Sequence, residues 1–569
     1  MQSPQRTRKV GNSALAMNFM QSKAKNLSRL WRKIRARLDE RAAPRLYRRW
    51  IRKFDTLTDN DREKIRRRIE KFRLKPLISV ILPVYNVEEK WLRACLDSVL
   101  RQLYENWQLC IADDFSSAPH VRRVLEEYAR KDRRIKCVFR SSNGHISAAS
   151  NSALALAEGE FAAMLDHDDE LAEHAFYAFV EEINHFPEAD LIYSDEDMID
   201  ETGARYNPNF KPDFSRDLFY SLNLFTHLTV YRTEILRRIG GFREGKEGSQ
   251  DYDLALRFTE EIPENHIRHI PQILYHWRAI SGSVALASSE KSYAHERARE
   301  ALREHFARLN VKANVSRGFY EFHRVTYELP ENVSVSLITG GKQKTENSKL
   351  KNFETIHVEN RSAEGFNAAV RQARGDVLIF LDGDFQMLND GAFLELASFA
   401  QQEKIGAVGA KILNEDETVR NGGIILGAND LIGFAHQGLP KDRAGNLQRA
   451  QVVNNYSAVS GAFAVRRELF KKLGGFDAKN FSHGLFDVDF CLRLGAEGFR
   501  TVFTPYAELL QKTPSSTEKI LRLKNSAEVS NFKKKWKHEI ESDRFYNPNL
   551  SLKDARFRLA FPPRVKKTF

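Results

Sequence analysis

The stretch FAAMLDHDDE at residues 161–170 is an apolar run of strand length that ends in a cluster of acids. An apolar run of this length belongs in a core, whereas neighbouring carboxylates repel one another unless a cation lies among them. A buried strand that delivers Asp166, Asp168 and Asp169 at its carboxyl end suits a divalent cation bound through oxygen, with a diphosphate supplying further ligands. The alternative interpretation is an acidic loop that caps a helix beginning near Ala172.

The sequence before this stretch predicts a parallel α/β sheet. Residues 77–82 form a continuous aliphatic run stopped by Pro83, and residues 108–112 form a second run that ends in Asp113 and Asp114. Apolar residues at helical spacing separate the two runs, and further helix and strand patterns lead to the acidic stretch. Because ligands bind at the carboxyl ends of parallel strands, we expect both groups of acids to meet at one edge of the sheet.

The same features return in order later in the chain. LDHD at 165–168 recurs as LDGD at 381–384, and DYDLALR at 251–257 recurs as DVDFCLR at 487–493. A repeat of this length indicates two copies of one α/β domain. Acids that recur in order are poorly explained as chance turn residues.

The second copy has a shorter first half. Only about two strand patterns precede its acids, a polar stretch at 340–345 joins them, and nothing corresponds to the acid pair at 113–114. The predicted divisions are a basic helical extension, a first domain, a second domain with a reduced nucleotide half and a helical tail, at residues 1–75, 76–330, 331–515 and 516–569.

The net charge of +13 originates near the N-terminus. Residues 1–76 hold 24 Lys and Arg against 7 Asp and Glu, or +17, which leaves the remaining residues at −4. Five apolar residues recur there at helical spacing among basic ones, which favours a helix on an anionic membrane surface or, equally, a helix packed on the protein. These residues are Leu27, Leu30, Trp31, Ile34 and Leu38. Few aromatic residues interleave with the basic ones, so nucleic acid is not an expected partner.

The composition of the chain narrows the class of protein to which it can belong. The chain is 42% apolar, enough to bury the cores of two large domains. It shows neither an apolar stretch of membrane-spanning length nor an N-terminal secretory signal, so we expect a cytoplasmic protein. The four cysteines lie at wide spacings, and we expect them to be reduced core residues.

Taken together, these motifs resemble the family 2 glycosyltransferases of bacterial cell-surface polysaccharide synthesis. The motifs that carry the resemblance in the first copy are SVILPVYN at 79–86, ADD at 112–114, LDHDD at 165–169, YSDED at 193–197, FKPD at 210–213, GSQDYD at 248–253 and YHWR at 275–278. Those in the second copy are VGAK at 408–411, SGA at 460–462 and DVDFCLR at 487–493. The resemblance covers roughly residues 76–515 and implies two tandem domains of the GT-A fold, which is a Rossmann-like α/β fold.

The resemblance also implies an activity. It is an inverting transfer of a sugar from a nucleotide-diphosphate sugar to a hydroxyl of a glycan or glycolipid, with Mg²⁺ or Mn²⁺ as cofactor. Asp251 in the first copy and Asp487 in the second would be general bases. The implied nucleotide-binding residues are Pro83, Tyr85, Asn86, Asp113, Asp114 and Asp166. The implied metal ligands are Asp168 and His276 in the first copy, and Asp382 and Asp384 in the second.

The second copy departs from the family pattern at one position. The family commonly has a histidine shortly after a Pro-Tyr-Ala segment, and here PYA at 505–507 leads instead to Gln511. With its reduced nucleotide half, the second copy is therefore either a second transferase or an acceptor-binding domain.

Two other functions stay open on the sequence alone. One is a non-catalytic scaffold with relic transferase domains that binds polyanions or an anionic membrane through its N-terminus. The other is a nucleotidyltransferase, which would also place acids at strand ends but usually has a glycine-rich phosphate loop with a basic residue after its first strand. PVYN at 83–86 lacks these residues. For the transferase, the expected location is the cytoplasm or the inner face of the cell membrane.

Overall fold

The structure, a computed structural model, describes residues 43–279, 291–341, 343–344, 349–523 and 525–565. The predicted amphipathic helix at 27–38 lies outside the described residues. The chain divides into two compact units, Met1–Thr56 and Leu57–Phe569. In the first unit, a helix at 43–50 continues into a turn of π-helix at Ile51–Asp55.

The second unit contains both repeats. Its α-helices among the described residues, numbered in chain order, are α1 Asp59–Lys71, α2 Glu89–Leu100, α3 Pro119–Lys131, α4 His145–Ala155, α5 Ala175–His185, α6 Arg216–Ser221, α7 Thr233–Arg238, α8 Gln250–Glu260, α9 Lys291–Arg308, α10 Ala363–Gln372, α11 Ala392–Ala400, α12 Arg467–Lys472, α13 Phe486–Ala496, α14 Ser516–Ile520, α15 Ala527–Lys535 and α16 Lys537–Glu541.

The strands fall into two large sheets and two small ones. Those of the first repeat are β1 Ile78–Val84, β2 Trp107–Asp113, β3 Ile135–Phe139, β4 Phe161–Met164, β5 Glu170–Leu171, β6 Leu191–Ile199, β7 Arg205–Asn209, β8 Thr229–Arg232 and β9 Ile267–Arg278, followed by the hairpin β10 Ala313–Arg317 and β11 His323–Tyr327. Those of the second are β12 Val335–Thr339, β13 Gln343–Lys344, β14 Phe353–His357, β15 Val377–Leu381, β16 Phe385–Met387, β17 Ile405–Leu413, β18 Val419–Asn421, β19 Ile424–Leu426, β20 Ile432–Phe434, β21 Asn454–Asn455, β22 Ala462–Arg466 and β23 Arg500–Gln511.

The first sheet has the order β3-β2-β1-β4-β8-β6-β9-β5, with β7 paired to β6. Strands β1 to β4 are parallel, and the buried aliphatic run of β1 lies between β2 and β4. The prediction that Pro83 stops β1 is wrong, because the strand continues to Val84. The pairing of β1 with β4 ends at Ile81, so Pro83 has no partner strand on the β4 side. Its missing N–H therefore removes no hydrogen bond between strands.

The second sheet repeats this order with one strand fewer at the nucleotide side. Written in the same direction as the first, it runs β14-β12-β15-β22-β17-β23-β16-β13. Strands β14, β12 and β15 therefore take the places of β2, β1 and β4. Among the described residues, β3 and the helices on either side of β2 have no counterpart, and those described between β12 and β14 form no helix. Two sheets with alternating helices confirm the predicted α/β class and the repeat.

Segments outside the two sheets complete them. Helix α1, which we assigned to the basic extension, contributes the fully buried Ile65 to the core beneath the first sheet. In the predicted helical tail, helices end at Glu541, and the described residues beyond form turns. The Asn547 side chain donates to Asp195 Oδ2 at 2.8 Å, so the tail reaches back to the first domain.

All four cysteines are free thiols, and only Cys137 is not fully buried. Among the described residues, no helix has the length and apolar content needed to cross a membrane.

Candidate active site

Three of the predicted site residues, Pro83, Asp166 and Asp251, line one small cavity at the carboxyl edge of the first sheet. The cavity, about 90 Å³, lies between β1, β4, β8 and the start of α8. The polar residues of its lining are Ser150, Asp166, His227, Thr229, Tyr231, Gln250, Asp251 and Tyr275. The fold therefore brings together Asp166 and Asp251, which are 85 positions apart in the chain, as two carboxylates facing one space.

The acids after β4 have different environments. Asp169 is buried and accepts hydrogen bonds from the Tyr275 hydroxyl at 2.5 Å and the Arg278 N–H at 2.7 Å. By contrast, the carboxylates of Asp166 and Asp168 take part in no hydrogen bond or ion pair within the described part of the chain. Asp169 therefore fixes the loop, and Asp166 and Asp168 are available to a ligand.

Desolvation by the surrounding protein raises the pKa of Asp166, and the negative charge of Asp168 adds to the rise. His227 and His167 oppose this rise in the pKa of Asp166. Two carboxylates that repel each other favour a cation between them. This is the electrostatic setting expected for a divalent ion.

The predicted nucleotide-binding residues lie at the ends of β1 and β2. Asp114 is buried, with Oδ1 2.8 Å from Arg140 Nε and 3.0 Å from the Gly144 N–H. Asp113 is also buried and accepts a longer bond, 3.3 Å, from the Ser116 N–H. Asp114 is thus committed to the protein, and Asp113 has the greater capacity to bind a ligand.

The loop after β1 presents an aromatic ring to solvent. Tyr85 is 48% exposed, and Phe115 in the facing loop is 59% exposed. Asn86 joins the two loops, because its Oδ1 accepts from the N–H groups of Ser117 and Ala118 at 2.9 and 3.1 Å. Asn86 therefore positions this edge, whereas Tyr85 is free to stack on a base. Pro83 lines the cavity.

Asp251 lies in the first turn of α8, where the Asn223 amide donates to its Oδ2 at 2.8 Å. The positive end of a helix by itself favours the ionised form of a carboxylate in the first turn. Instead burial raises the pKa of Asp251, although the N–H groups of Tyr252 and Asp251 itself oppose the rise. Desolvation outweighs the helix end here, which gives a carboxylate more basic than an exposed one.

His276 has one nitrogen bound within the protein. Its Nδ1 lies 2.6 Å from Asp197 Oδ1, while the other oxygen of Asp197 lies 2.6 Å from Arg205 Nε. A carboxylate on one ring nitrogen fixes the ring and leaves the other nitrogen for a ligand, as at many metal sites. No contact between His276 and Asp168 is present, so their shared metal role stays a prediction.

The described residues contain no ready-made group of three or more His, Cys, Asp or Glu side chains that could hold a metal. Mg²⁺ bound to a nucleotide needs only one or two protein carboxylates, because phosphate oxygens and waters complete its shell. The unpaired carboxylates of Asp166 and Asp168 fit such an ion.

The sequence reasoning missed a buried charged cluster behind the cavity. His227 Nδ1 lies 2.9 Å from Glu196 Oε2, and the same oxygen accepts from the buried Lys211 ammonium at 2.7 Å. Burial lowers the pKa of His227, but the Glu196 charge overcomes this and the net shift is upward. Glu196 and Lys211 lie in motifs quoted above, but His227 sits in no repeated motif.

In the second domain, the counterpart of Asp251 is Asp487, and its carboxylate is fully hydrogen-bonded within the protein. Asp487 accepts four hydrogen bonds, from the Ser460 hydroxyl at 2.7 Å, the Thr517 hydroxyl at 2.7 Å, and the N–H groups of Gly461 and Val488 at 3.1 and 2.9 Å. Both carboxylate oxygens are used, and the residue is 1% exposed. This arrangement argues against Asp487 as a base.

Of the predicted metal ligands of the second domain, Asp382 has a carboxylate that is likewise engaged within the protein. Asp382 Oδ1 lies 2.9 Å from Arg361 Nε, and Oδ2 accepts from the Ser516 N–H at 2.5 Å. The Asp384 N–H donates to the Thr513 hydroxyl at 2.9 Å. An arginine therefore occupies the position where a metal ion would neutralise Asp382.

The strand register corrects one alignment in this domain. Glu170 pairs with His276 in the first sheet, and Gln386, its counterpart in the repeat, pairs with Leu510. Leu510, and not Gln511 as we expected, therefore takes the place of His276. The conclusion that no imidazole stands there is unchanged.

Comparison with known proteins gives a consistent result. The model of the family described as Glycosyl transferase family 2 matches residues 79–240, and that of Glycosyltransferase like family 2 matches residues 329–527. The chain is 37% identical over 537 residues to Uncharacterized protein y4gI of Sinorhizobium fredii, which covers 86% of this chain and 59% of that protein. It is 33% identical over 483 residues to the O-antigen biosynthesis protein RfbC of Myxococcus xanthus, covering 78% and 38%.

The chain therefore spans less than two thirds of the length of these two relatives. Among solved structures, S. aureus TarS 1-349 matches 40% of this chain and 72% of its own, with 22% identity and a TM-score of 0.31. A TM-score this low supports no argument.

Proposed function

Since the chain belongs to the family 2 glycosyltransferases, with two domains of that family in tandem, we propose that its first domain transfers a sugar from a nucleotide-diphosphate sugar to an acceptor hydroxyl. The observation that carries this proposal is the cavity shared by Asp166 and Asp251. It offers one acid toward the nucleotide edge and a second at a helix start, with room between them for the reacting carbon.

Asp251 is the general base. An alcohol is a weak nucleophile, so a carboxylate within hydrogen-bond reach must accept its proton as it attacks. The Asn223 amide holds the carboxylate in place, and burial makes it a stronger proton acceptor. Attack on the face opposite the diphosphate gives inversion, and a single displacement requires no enzyme nucleophile.

Asp168 and Asp166 hold the divalent ion, Mg²⁺ or Mn²⁺, together with the diphosphate. When bound, such an ion neutralises the charge that develops on the leaving diphosphate. His276, fixed through Asp197, is a further ligand to the metal or the diphosphate. Tyr85 stacks on the base, and Asp113 binds its edge or the ribose.

The second domain is a binding or structural domain without transferase chemistry. Its base position, Asp487, has no free lone pair directed at a cavity, and Arg361 neutralises Asp382. Its sheet also lacks the strand that follows the nucleotide acids in the first domain. Of the two homologous domains, only the first has an active site.

The acceptor is a glycan or glycolipid of cell-surface polysaccharide synthesis. The relative RfbC, named as an O-antigen biosynthesis protein, supports this class. The basic residues before residue 57 bring the enzyme to an anionic membrane surface, where a lipid-linked acceptor would lie. The nucleotidyltransferase alternative loses support, because the residues at the end of β1, PVYN at 83–86, include no glycine, and Asn86 binds the loop after β2 through its side chain.

The test of the proposed function is a thermal-shift screen of nucleotide-diphosphate sugars with the full chain, with and without Mn²⁺. A ligand at 100 times its Kd should raise the stability of the native state by about 2.7 kcal/mol. We expect stabilisation by at least one nucleotide sugar that chelator abolishes. Stabilisation by nucleoside triphosphates alone would favour a nucleotidyltransferase.

A further inference from the structure

His227 lies in the wall of the cavity that Asp166 and Asp251 share. Its ring stacks on Tyr275, with centroids 5.0 Å apart, and lies equally close to Trp277. Its side chain is 15% exposed. The imidazole is therefore packed against two aromatic rings at the place where the proposed function puts the reacting sugar.

The backbone of His227 is in the left-handed region, at φ 62°. A side chain with a Cβ is sterically strained in this conformation, and such strain persists where the surrounding structure enforces it, often at functional sites. A glycine would satisfy this turn without strain. Something other than the turn must explain an imidazole here.

The imidazole is anchored by a carboxylate that has several other partners. Glu196 accepts from Lys211, from the Asn209 amide at 2.9 Å and from the Thr226 hydroxyl at 3.3 Å. Lys211 already forms an ion pair with Glu196, so the protonated His227 is a second cation beside one carboxylate.

The second domain provides a natural comparison at this position. Phe161 pairs with Arg232 in the first sheet, and its equivalent in the repeat, Val377, pairs with Arg466 in the second. Arg232 and Arg466 are therefore equivalent. His227 and Gly461, which each lie five residues before these arginines, are then equivalent too. Gly461 has the same left-handed backbone, at φ 85°. The turn is retained in both domains, and only the domain with the open cavity has an imidazole.

The anchor is lost together with the imidazole. Glu196 pairs with Tyr275 in the first sheet, and in the second sheet Ile412 pairs with Leu509, the counterpart of Tyr275. A His and Glu pair in one domain is thus a Gly and Ile pair in the other. Paired replacement indicates that the carboxylate serves the imidazole.

We propose that His227 contacts the transferred sugar of the donor and donates a hydrogen bond to one of its oxygens. This inference rests on the proposed function, in which the transferred sugar lies between the leaving diphosphate near Asp166 and the base Asp251. His227 lines the same space and, as an imidazolium with Nδ1 beside Glu196, presents its remaining ring N–H as the donor. Glu196 is a positioning residue that holds the ring.

The experiment compares sugar-bearing and sugar-free ligands on the full chain. Affinities of UDP-glucose, UDP-N-acetylglucosamine and GDP-mannose, and of UDP and GDP, are measured by calorimetry in Mn²⁺. In wild type we expect at least one nucleotide sugar to bind more tightly than its parent nucleotide. In H227G that preference should fall by about tenfold to hundredfold, the usual span for a hydrogen bond to a charged group, with nucleotide affinity unchanged.

Glycine suits the left-handed backbone, so H227G removes the ring without forcing the turn to change. H227N, whose side chain also tolerates this conformation, should retain part of the preference through its amide. The matched control is N310G, a replacement at another left-handed position, φ 55°, on the exposed end of α9. It should leave all affinities as in wild type.

Three results would overturn the inference in distinguishable ways. If wild type prefers a nucleotide sugar and H227G keeps the full preference, His227 does not touch the sugar, and the proposed function stands. If wild type binds neither nucleotides nor nucleotide sugars, the proposed function fails and this inference with it. Equal loss of nucleotide and nucleotide-sugar affinity in H227G would assign His227 to the nucleotide and refute the sugar contact.

Discussion

The two domains have the same strand order and the same acids, yet their acids do different work. In the first domain Asp166 and Asp251 face a cavity with few partners of their own. In the second, Asp382 and Asp487 are saturated by an arginine, three hydroxyls and backbone N–H groups. A carboxylate that is fully satisfied within the protein contributes to its stability and cannot also accept a substrate proton. Shared motifs therefore indicate common ancestry and a common fold, whereas activity depends on whether the carboxylates have lone pairs free to bind a ligand or accept a proton.

The strongest test of this comparison exchanges each base position for its amide. Asp251→Asn should lower turnover by about two to four orders of magnitude, because the isosteric amide cannot accept a proton. Asp487→Asn should leave turnover per folded molecule at the wild-type value. The measurement is kcat with the donor found by the screen; if D487N abolishes transfer while D251N does not, the active domain is the second.

The acids that precede the base positions give the next largest difference. Asp168→Ala should weaken nucleotide binding in Mn²⁺ by roughly tenfold to hundredfold and have little effect in chelator, because a metal contact is lost. Asp384→Ala in the second domain should bind nucleotide as wild type does. Calorimetric titration of both variants decides; equal affinities for D168A and wild type in Mn²⁺ would remove Asp168 from the metal site.

The comparison reverses when stability is measured. Thr517→Val removes a buried donor to Asp487 and should lower the free energy of unfolding by about 1–3 kcal/mol. Thr202→Val deletes a chemically equal bond to Asp200 on the surface and should change it by less than about 0.5 kcal/mol. Urea denaturation gives both values. A T517V midpoint equal to wild type would show that Asp487 does not depend on that hydroxyl.

The pH dependence of turnover should reflect only the acid of the first domain. Asp251 acts in its deprotonated form, so turnover is lost as the pH falls through its pKa, which burial places above the usual range. The acid limb should therefore lie at higher pH than about 3.9, the value of an exposed aspartate. Profiles of kcat at saturating metal and donor check this. An acid limb at the value of an exposed aspartate would contradict a desolvated base.

The smallest expected effect concerns neither domain. A chain starting at Leu57 keeps α1 in the first core and should bind nucleotide normally while losing salt-sensitive attachment to anionic vesicles. Co-sedimentation with vesicles rich in phosphatidylglycerol measures it, with uncharged vesicles as the control. Equal attachment of both chains would place any membrane contact within the domains and not in the extension.

The order of the strands and the position of the acids were accessible from the sequence because they depend on local periodicity and on a repeat. Apolar runs at 77–82 and 108–112 became neighbouring parallel strands, and the acids following them reached one edge. The states of those acids were not accessible. The bond from Thr517 to Asp487 joins residues 30 positions apart in different elements, and nothing in their local sequence predicts it.

His227 shows the same limit from the other side. Its left-handed backbone and its Glu196 partner depend on β6 meeting β8 in one register, which periodicity cannot supply. The alignment of Gln511 with His276 failed for a related reason: counting residues from a motif ignores the pairing of β16 with β23, and that pairing selects Leu510. Register is a property of two strands together, and a single stretch of sequence contains only one of them.

The hydrogen bond from Asn547 to Asp195 has a consequence for how the protein is made. The two residues are 352 positions apart, so the first domain receives this partner only after a further 352 residues have been synthesised. At roughly 5–20 residues per second, that interval is on the order of 20 to 70 seconds. The nascent first domain therefore leaves the ribosome with the surface around Asp195 uncovered, and a segment translated later covers it.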